Sequence, residues 1–141
     1  DLLQALLPQC DVLIGSALVA GEHAPQLLSR DMIALMQKGT VFVDVAIDQG
    51  GMSETSRVSS YADPTYEEEG VIHCCLPNLP ASLPKSSTLA LTKATFPYVK
   101  ILAEQGLAEA VLADTALAQG KNVWDGELCH AGVIKTLSAQ E

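Results

Sequence analysis

Two aspartates punctuate the run V-F-V-D-V-A-I-D-Q-G-G at residues 41–51, and they are the side chains best placed to do chemistry. Asp48 stands where the apolar run gives out into Gln49, Gly50 and Gly51. A carboxylate there can exchange protons with a bound ligand or orient it. An Asp ahead of two glycines can equally bond its own backbone in a turn. Asp44 lies inside the run, where a buried carboxylate needs partners, and backbone or a neighbouring loop is expected to supply them. Asn78, between Pro77 and Leu79-Pro80, is either a neutral donor and acceptor for a ligand or a turn residue. Arg57 follows the glycine pair by six residues. It is either solvated or a bidentate clamp for a phosphate or carboxylate. His73, among apolar residues, reads as a satisfied core histidine, with His23 in a loop and His130 in a helix. No pair has metal-ligand spacing, so no metal site is expected, and neither G-x-G-x-x-G nor a P-loop occurs.

These residues need strands to carry them. The β-branched stretch before Asp48 has no clean polar alternation, which predicts a strand buried on both faces, as in a parallel sheet covered by helices. In such sheets ligands bind in the crevice beyond the carboxyl ends of the strands. The expected elements are a helix remnant at 2–7 stopped by Pro8, a strand at 11–15 and a small-residue loop at 16–21. Ser29 is the expected cap of a helix at 30–37, ended by Lys38 and Gly39, and a parallel strand follows at 40–46. Residues 53–70 read as polar and turn-rich, and 71–76 as a third buried strand. Beyond it helix dominates. One helix is expected after a cap at Ser86, Ser87 or Thr88, and another after Thr95 with Pro97 in its first turn. A third is expected at 107–118, an extended piece at 121–124, and a closing helix from Glu127 or Leu128 to Ala139. The composition shifts near Lys85. That shift predicts the second half of a Rossmann-like sheet over 1–84 and helices that leave it over 85–141.

The 141 residues carry 8 basic and 17 acidic side chains, a net charge of −9, which argues against nucleic acid and anionic membrane surfaces. No apolar stretch approaches the roughly 18–20 residues needed to span a bilayer, so no membrane insertion is expected. The four cysteines, Cys10, Cys74, Cys75 and Cys129, form no CxxC or zinc spacing and read as structural thiols. The simplest compartment for them is a reducing cytoplasm. The chain opens on D-L-L-Q-A-L-L-P without Met, like a helix already under way, so a fragment of a longer protein is expected.

The strings D-V-A-I-D-Q-G-G (44–51), E-T-S-R (54–57), D-P-T-Y (63–66), N-L-P (78–80) and S-T-L-A-L-T-K-A-T-F-P-Y-V (87–99) together resemble the C-terminal part of bacterial alanine dehydrogenases. The α subunit of proton-translocating transhydrogenase is the close relative, and the I-D-Q form after the strand favours the dehydrogenase. The resemblance implies an α/β fold: half of an NAD-binding Rossmann-like domain with parallel strands, then helices returning to a substrate domain. It implies that Asp48 is catalytic. It further implies that NAD is contacted by Ala17, Leu18, Val45, Ala46, Ile47, Asp48, Arg57, Leu76, Pro77, Asn78 and Leu79. The reaction implied is reversible oxidative deamination of L-alanine to pyruvate and ammonia, in a homo-oligomer, a hexamer in this family. The sequence departs from the family at Leu76-Pro77, where Val-Ala is commoner, and at Ala20, which replaces a proline. The family's substrate-clamping Arg and Lys, its catalytic His and its glycine-rich phosphate turn fall N-terminal to Asp1. The isolated chain is therefore expected to be inactive. Rival expectations are a transhydrogenase α subunit, a 2-hydroxyacid dehydrogenase, disfavoured because Ile47-Asp48 stands where those use Arg-Gly, and a non-catalytic oligomerisation or binding module.

Overall fold

A computed structural model describes residues 2–139. The chain forms two compact units, Asp1–Leu79 and Pro80–Glu141.

Unit 1 is an α/β fold. A helix, α1 (Leu2–Leu6), passes into a 3-10 turn at Leu7–Gln9, with Pro8 in the position where its missing N–H costs least. Strand β1 (Val12–Gly15) follows. Ser29 caps α2 (Arg30–Ile33) as expected, its hydroxyl accepting from the Met32 amide at 3.2 Å. The helix is shorter than the 30–37 expected, ending in turns that lead to β2 (Val41–Asp44). The acidic stretch at 53–70 contains a strand that the sequence reading missed, β3 (Tyr66–Glu68), in a hairpin with β4 (Val71–Cys74). Its two-residue turn, Glu69-Gly70, has φ of 54° and 79°, the left-handed pair that closes tight hairpins. Arg30 pairs with Glu68 at 3.1 Å and with Glu69, tying the exposed turn to α2.

The strand order is β1-β2-β4-β3, with β1, β2 and β4 parallel and β3 antiparallel at one edge. Register sorts the side chains into two faces. Leu13, Phe42, His73 and Tyr66 form one row across the sheet. Beneath this face the core gathers Leu7, Leu28, Ile33, Met36, Phe42, Met52 and Val71, all buried. Each large side chain fully withdrawn there contributes roughly 1.5–3 kcal/mol. The opposite face carries Val12, Ile14, Val41, Val43, Ile72 and Cys74, and none of them is buried. Ile14 is 66% exposed. The expectation of strands buried on both faces is therefore corrected for unit 1: its described residues fully bury one face of the sheet and leave the other half-buried to exposed.

Unit 2 is helical. One helix, α3 (Pro84–Gln105), runs unbroken where two were expected, with Pro97 in its interior. Thr95 does not cap; its hydroxyl donates back to the Leu91 carbonyl at 2.9 Å, as threonines do inside helices. Gly106 ends α3. The helix expected at 107–118 is broken into α4 (Leu107–Ala113) and α5 (Thr115–Gln119). The break is Asp114, whose Oδ1 accepts from the Ala116 and Leu117 amides at 2.8 and 3.0 Å and starts a new helix. The extended piece pairs as a second hairpin, β5 (Val123–Trp124) with β6 (Glu127–Leu128), around Asp125-Gly126. The last helix, α6 (Ala131–Ser138), starts later than expected. His130 is its cap rather than a helical residue, Nδ1 accepting from the Val133 amide. No described helix is long and apolar enough to cross a membrane.

Candidate functional site

Parallel pairing in register brings the carboxyl ends of three strands together. Gly15 lies opposite Asp44, Val43 opposite Cys74, and the Val45 amide continues the ladder to the Gly15 carbonyl at 2.8 Å. Three loops leave this edge side by side: the one after β1 with Ala17 and Leu18, the one after β2 with residues 45–51, and the one after β4 with residues 75–79. The first two are joined where the Ala24 amide donates to the Gln49 carbonyl at 2.8 Å. Exposed His23, which carried no site expectation, lies beside Gly50 through this link.

Asp48 sits in a single 3-10 turn, Ile47–Gln49. Ala46 and Ile47 are buried, and this inward pair fixes the turn so that Val45 and Asp48 face outward. The Asp48 carboxylate is exposed and accepts no hydrogen bond from a described residue. The neighbouring Gln49 Oε1 is buried without a hydrogen-bond partner among the described residues. The turn-forming part that sequence left open for Asp48 belongs instead to Asp44. Asp44 is fully buried, with Oδ1 accepting from the Ala46 amide at 3.0 Å. Its Oδ2 accepts from the Met52 amide at 2.9 Å and the Ser56 hydroxyl at 2.6 Å. The partners expected for it, backbone and a neighbouring loop, are both present.

The remaining expected contacts separate by exposure. Leu18 and Val45 are open apolar side chains, and Ala17 is half-buried. Ala46, Ile47 and Leu76 are buried, and the Ala46 carbonyl accepts from the Gln49 and Gly51 amides at 3.0 and 3.1 Å. Pro77 and Leu79 are half-buried. Asn78 is exposed with φ of 53°, a left-handed conformation that Asn tolerates better than most residues. The Tyr61 hydroxyl donates to the Asn78 carbonyl at 3.0 Å and holds this loop, a part that nothing in the sequence signals. Arg57 is exposed, with its guanidinium 3.7 Å from the Tyr66 ring centroid, a cation–π contact that fixes its base.

His73 is the satisfied core histidine that its setting predicts. Its Nδ1 faces the Val71 carbonyl at 2.9 Å, which only accepts, so Nδ1 carries the proton. Nε2 then accepts from the Thr55 hydroxyl at 2.8 Å, and Thr55 Oγ1 accepts from Ser53 Oγ at 2.9 Å. The ring stacks on Tyr66, with centroids 5.0 Å apart. Burial pushes its pKa down, partly offset by the Val71 carbonyl. Burial also holds the Tyr66 hydroxyl well above the ordinary phenol range, with Cys75 at 3.2 Å adding to the effect. The pKa of the Cys75 thiol is likewise raised by burial, which disfavours the reactive thiolate. No group of three or more His, Cys, Asp and Glu that could hold a metal occurs among the described residues. A cavity of about 600 Å³ in unit 2 is lined by apolar residues such as Tyr98, Leu102, Leu107 and Trp124. Among its lining residues the only charged side chain is Lys121, whose ammonium lies over the Trp124 ring.

A family model described as "Alanine dehydrogenase/PNT, C-terminal domain" matches residues 1–131. An alanine dehydrogenase of Halomonas elongata is 44% identical over 140 residues, which cover 99% of this chain and 38% of that protein. One from Staphylococcus haemolyticus is 40% identical, over 98% of this chain and 37% of its own length. A solved L-alanine dehydrogenase aligns with a TM-score of 0.77 at 42% identity, over 99% of this chain and 38% of the other. A transhydrogenase from Sinorhizobium meliloti aligns at 0.68 with 24% identity, over 92% of this chain and 35% of its own, a likeness of fold alone. The chain thus spans under two-fifths of the relatives it matches. Over that span, it belongs to the alanine dehydrogenase/PNT C-terminal domain family.

Proposed function

We infer that this chain supplies the carboxyl-edge half of the NAD site, with the catalytic aspartate, of an NAD-dependent L-alanine dehydrogenase. The overall change would convert alanine, water and NAD⁺ into pyruvate, ammonium, NADH and a proton. One observation carries the reading: Asp48 is held outward, bonded to no described residue, on a turn anchored by buried Ala46 and Ile47, at the edge where three parallel strands end. Open sheets of this kind take their ligands at that edge.

The residues present fit the cofactor. A nicotinamide has an apolar face and a carboxamide with N–H donors. Exposed Leu18 and Val45 offer apolar surface, and the Asp48 carboxylate and Gln49 Oε1 offer acceptors without partners among the described residues. When bound, NAD supplies the hydride acceptor for the Cα–H of alanine. Asp48 then takes a proton from the water that hydrolyses the resulting imine, or balances the positive charge of the iminium. The remaining cofactor contacts are assigned to Ala17, Ala46, Ile47, Leu76, Pro77, Asn78 and Leu79, in the three loops at this edge. Arg57, its guanidinium propped on Tyr66, supplies positive charge to the cofactor. The reading extends to L-alanine, pyruvate and ammonia as substrates and products and to a homo-oligomer, a hexamer as in the family; the cysteine usage supports a cytoplasmic setting.

Alanine-dependent NADH formation tests this reading. The chain alone is expected to give none, because its 141 residues contain no glycine-rich phosphate fingerprint. Substituted for the matching 38% of the Halomonas elongata enzyme, it is expected to sustain the reaction. A folded chimaera without activity would overturn the proposal. A second reading, a binding or oligomerisation module, is favoured by the open sheet face. It predicts stable self-association together with an inactive chimaera.

A further inference from the structure

We propose that Asp44, with Ser56, is the positioning residue of this site: it holds the turn that presents Asp48, and it never touches a ligand itself. The proposal rests on the functional reading of Asp48 just given. Asp44 is fully buried and reaches three separate points of the chain. Oδ1 takes the Ala46 amide, two residues on, at the start of the turn. Oδ2 takes the Met52 amide, eight residues on, where the turn ends. Oδ2 also takes the Ser56 hydroxyl at 2.6 Å, from the segment that carries Arg57. The carboxylate therefore closes residues 45–51 into a loop from inside, while the Gly51 amide bonds the Ala46 carbonyl at 3.1 Å across it.

Gly51 belongs to the same device. Its φ is 79°, and a Cβ there would lie 2.7 Å from Ser56 Cβ and 3.0 Å from Asp44 Oδ2. Only glycine lets the loop close this tightly on the carboxylate. An acceptor-only group is also required. Both oxygens receive N–H or O–H donors, so an isosteric Asn would turn its NH₂ toward a donor and break at least one bond. The result is a division of labour between two aspartates four residues apart: the acceptors of Asp44 are used on the turn, and those of Asp48 are used by no described residue.

Amide hydrogen exchange on the 141-residue chain tests the positioning directly, in the wild type, Ser56→Ala, Ser56→Thr and Asp44→Asn. Ser56→Ala removes one hydroxyl and is the variant expected to fold without difficulty. The expected result is at least tenfold faster exchange at Ala46, Gln49, Gly51 and Met52, with Phe42 and His73 in the strands unchanged. Ser56→Thr, which keeps the hydroxyl, restores protection. A merely structural carboxylate would instead speed exchange throughout the sheet, and that result, or unchanged exchange in the turn, overturns the proposal. Saturation-transfer NMR with NADH separates this from the functional reading. Ser56→Ala is expected to lose the nicotinamide signals seen with wild type. If wild type gives none, the reading of an NADH site on this chain fails, while the exchange result still decides whether Asp44 holds the turn.

Discussion

Asp44 and Asp48 are the same side chain in one short segment, and burial separates them. The first is withdrawn and bonded on both oxygens, the second exposed with neither used by a described residue. Sequence gave each carboxylate its alternatives: partners for the one inside the apolar run, and a turn or a chemical part for the one at its end. It could not say which would close the turn, because that depends on Met52 and Ser56 coming back to the strand end. His73 was legible from its apolar neighbours alone, and its partners Thr55 and Ser53 were not, since they arrive from a segment that reads only as polar. The buried ring also makes stability depend on pH. Its folded pKa lies below the ordinary value of 6.5, so the unfolded chain binds the proton more readily. The contribution is complete above that ordinary value and is lost as pH falls toward and through the lowered folded value. Urea midpoints are expected to fall between pH 7.5 and pH 5, and the fall should be smaller in His73→Gln. Equal falls in both proteins would assign the acid sensitivity to other groups.

At the scale of elements, hydrophobic pattern located the strands, and local chemistry trimmed them. β2 ends at Asp44 rather than residue 46 because that carboxylate captures the Ala46 amide. Two hairpins were missed although each has its turn in plain view, Glu69-Gly70 and Asp125-Gly126. Three of their four strands, β3, β5 and β6, are only two or three residues long, too short for alternation to register. The opposite error occurred in α3, where Thr95 and Pro97 look like the start of a helix and lie inside one. The two descriptions differ measurably. In a helix interior proline lacks the N–H that would reach the Lys93 carbonyl, so Pro97→Ala should stabilise α3 by up to about 3 kcal/mol. At a helix start the same change would be neutral. Thermal unfolding followed by far-ultraviolet circular dichroism distinguishes them, a raised Tm and helix content being the expected outcome.

Beyond single elements the governing fact is that unit 1 fully buries only one face of its sheet. Val12 and Ile14 stand 55% and 66% exposed on β1, the edge strand of the sheet, on the same face as half-buried Val41, Val43, Ile72 and Cys74. The near-continuous apolar pattern of these strands was legible and specifies two covered faces; the cover for the second is not in unit 1. An open apolar face beside a free strand edge favours association. Sedimentation velocity should therefore show concentration-dependent self-association of the chain, weakened by Ile14→Lys with little loss of stability. A monomer at all concentrations would contradict this. The functional claim is tested most directly by one substitution in the chimaera with the Halomonas elongata enzyme. Asp48→Asn keeps the size of the side chain and removes its charge and basicity. The expected result is a fall of roughly 10²–10⁴-fold in alanine-dependent kcat, the range a positioned acid–base group supplies, with the KM for NAD changed little. A variant that turns over alanine at the parent rate would show that Asp48 is a surface residue of a turn and that the chemistry lies elsewhere.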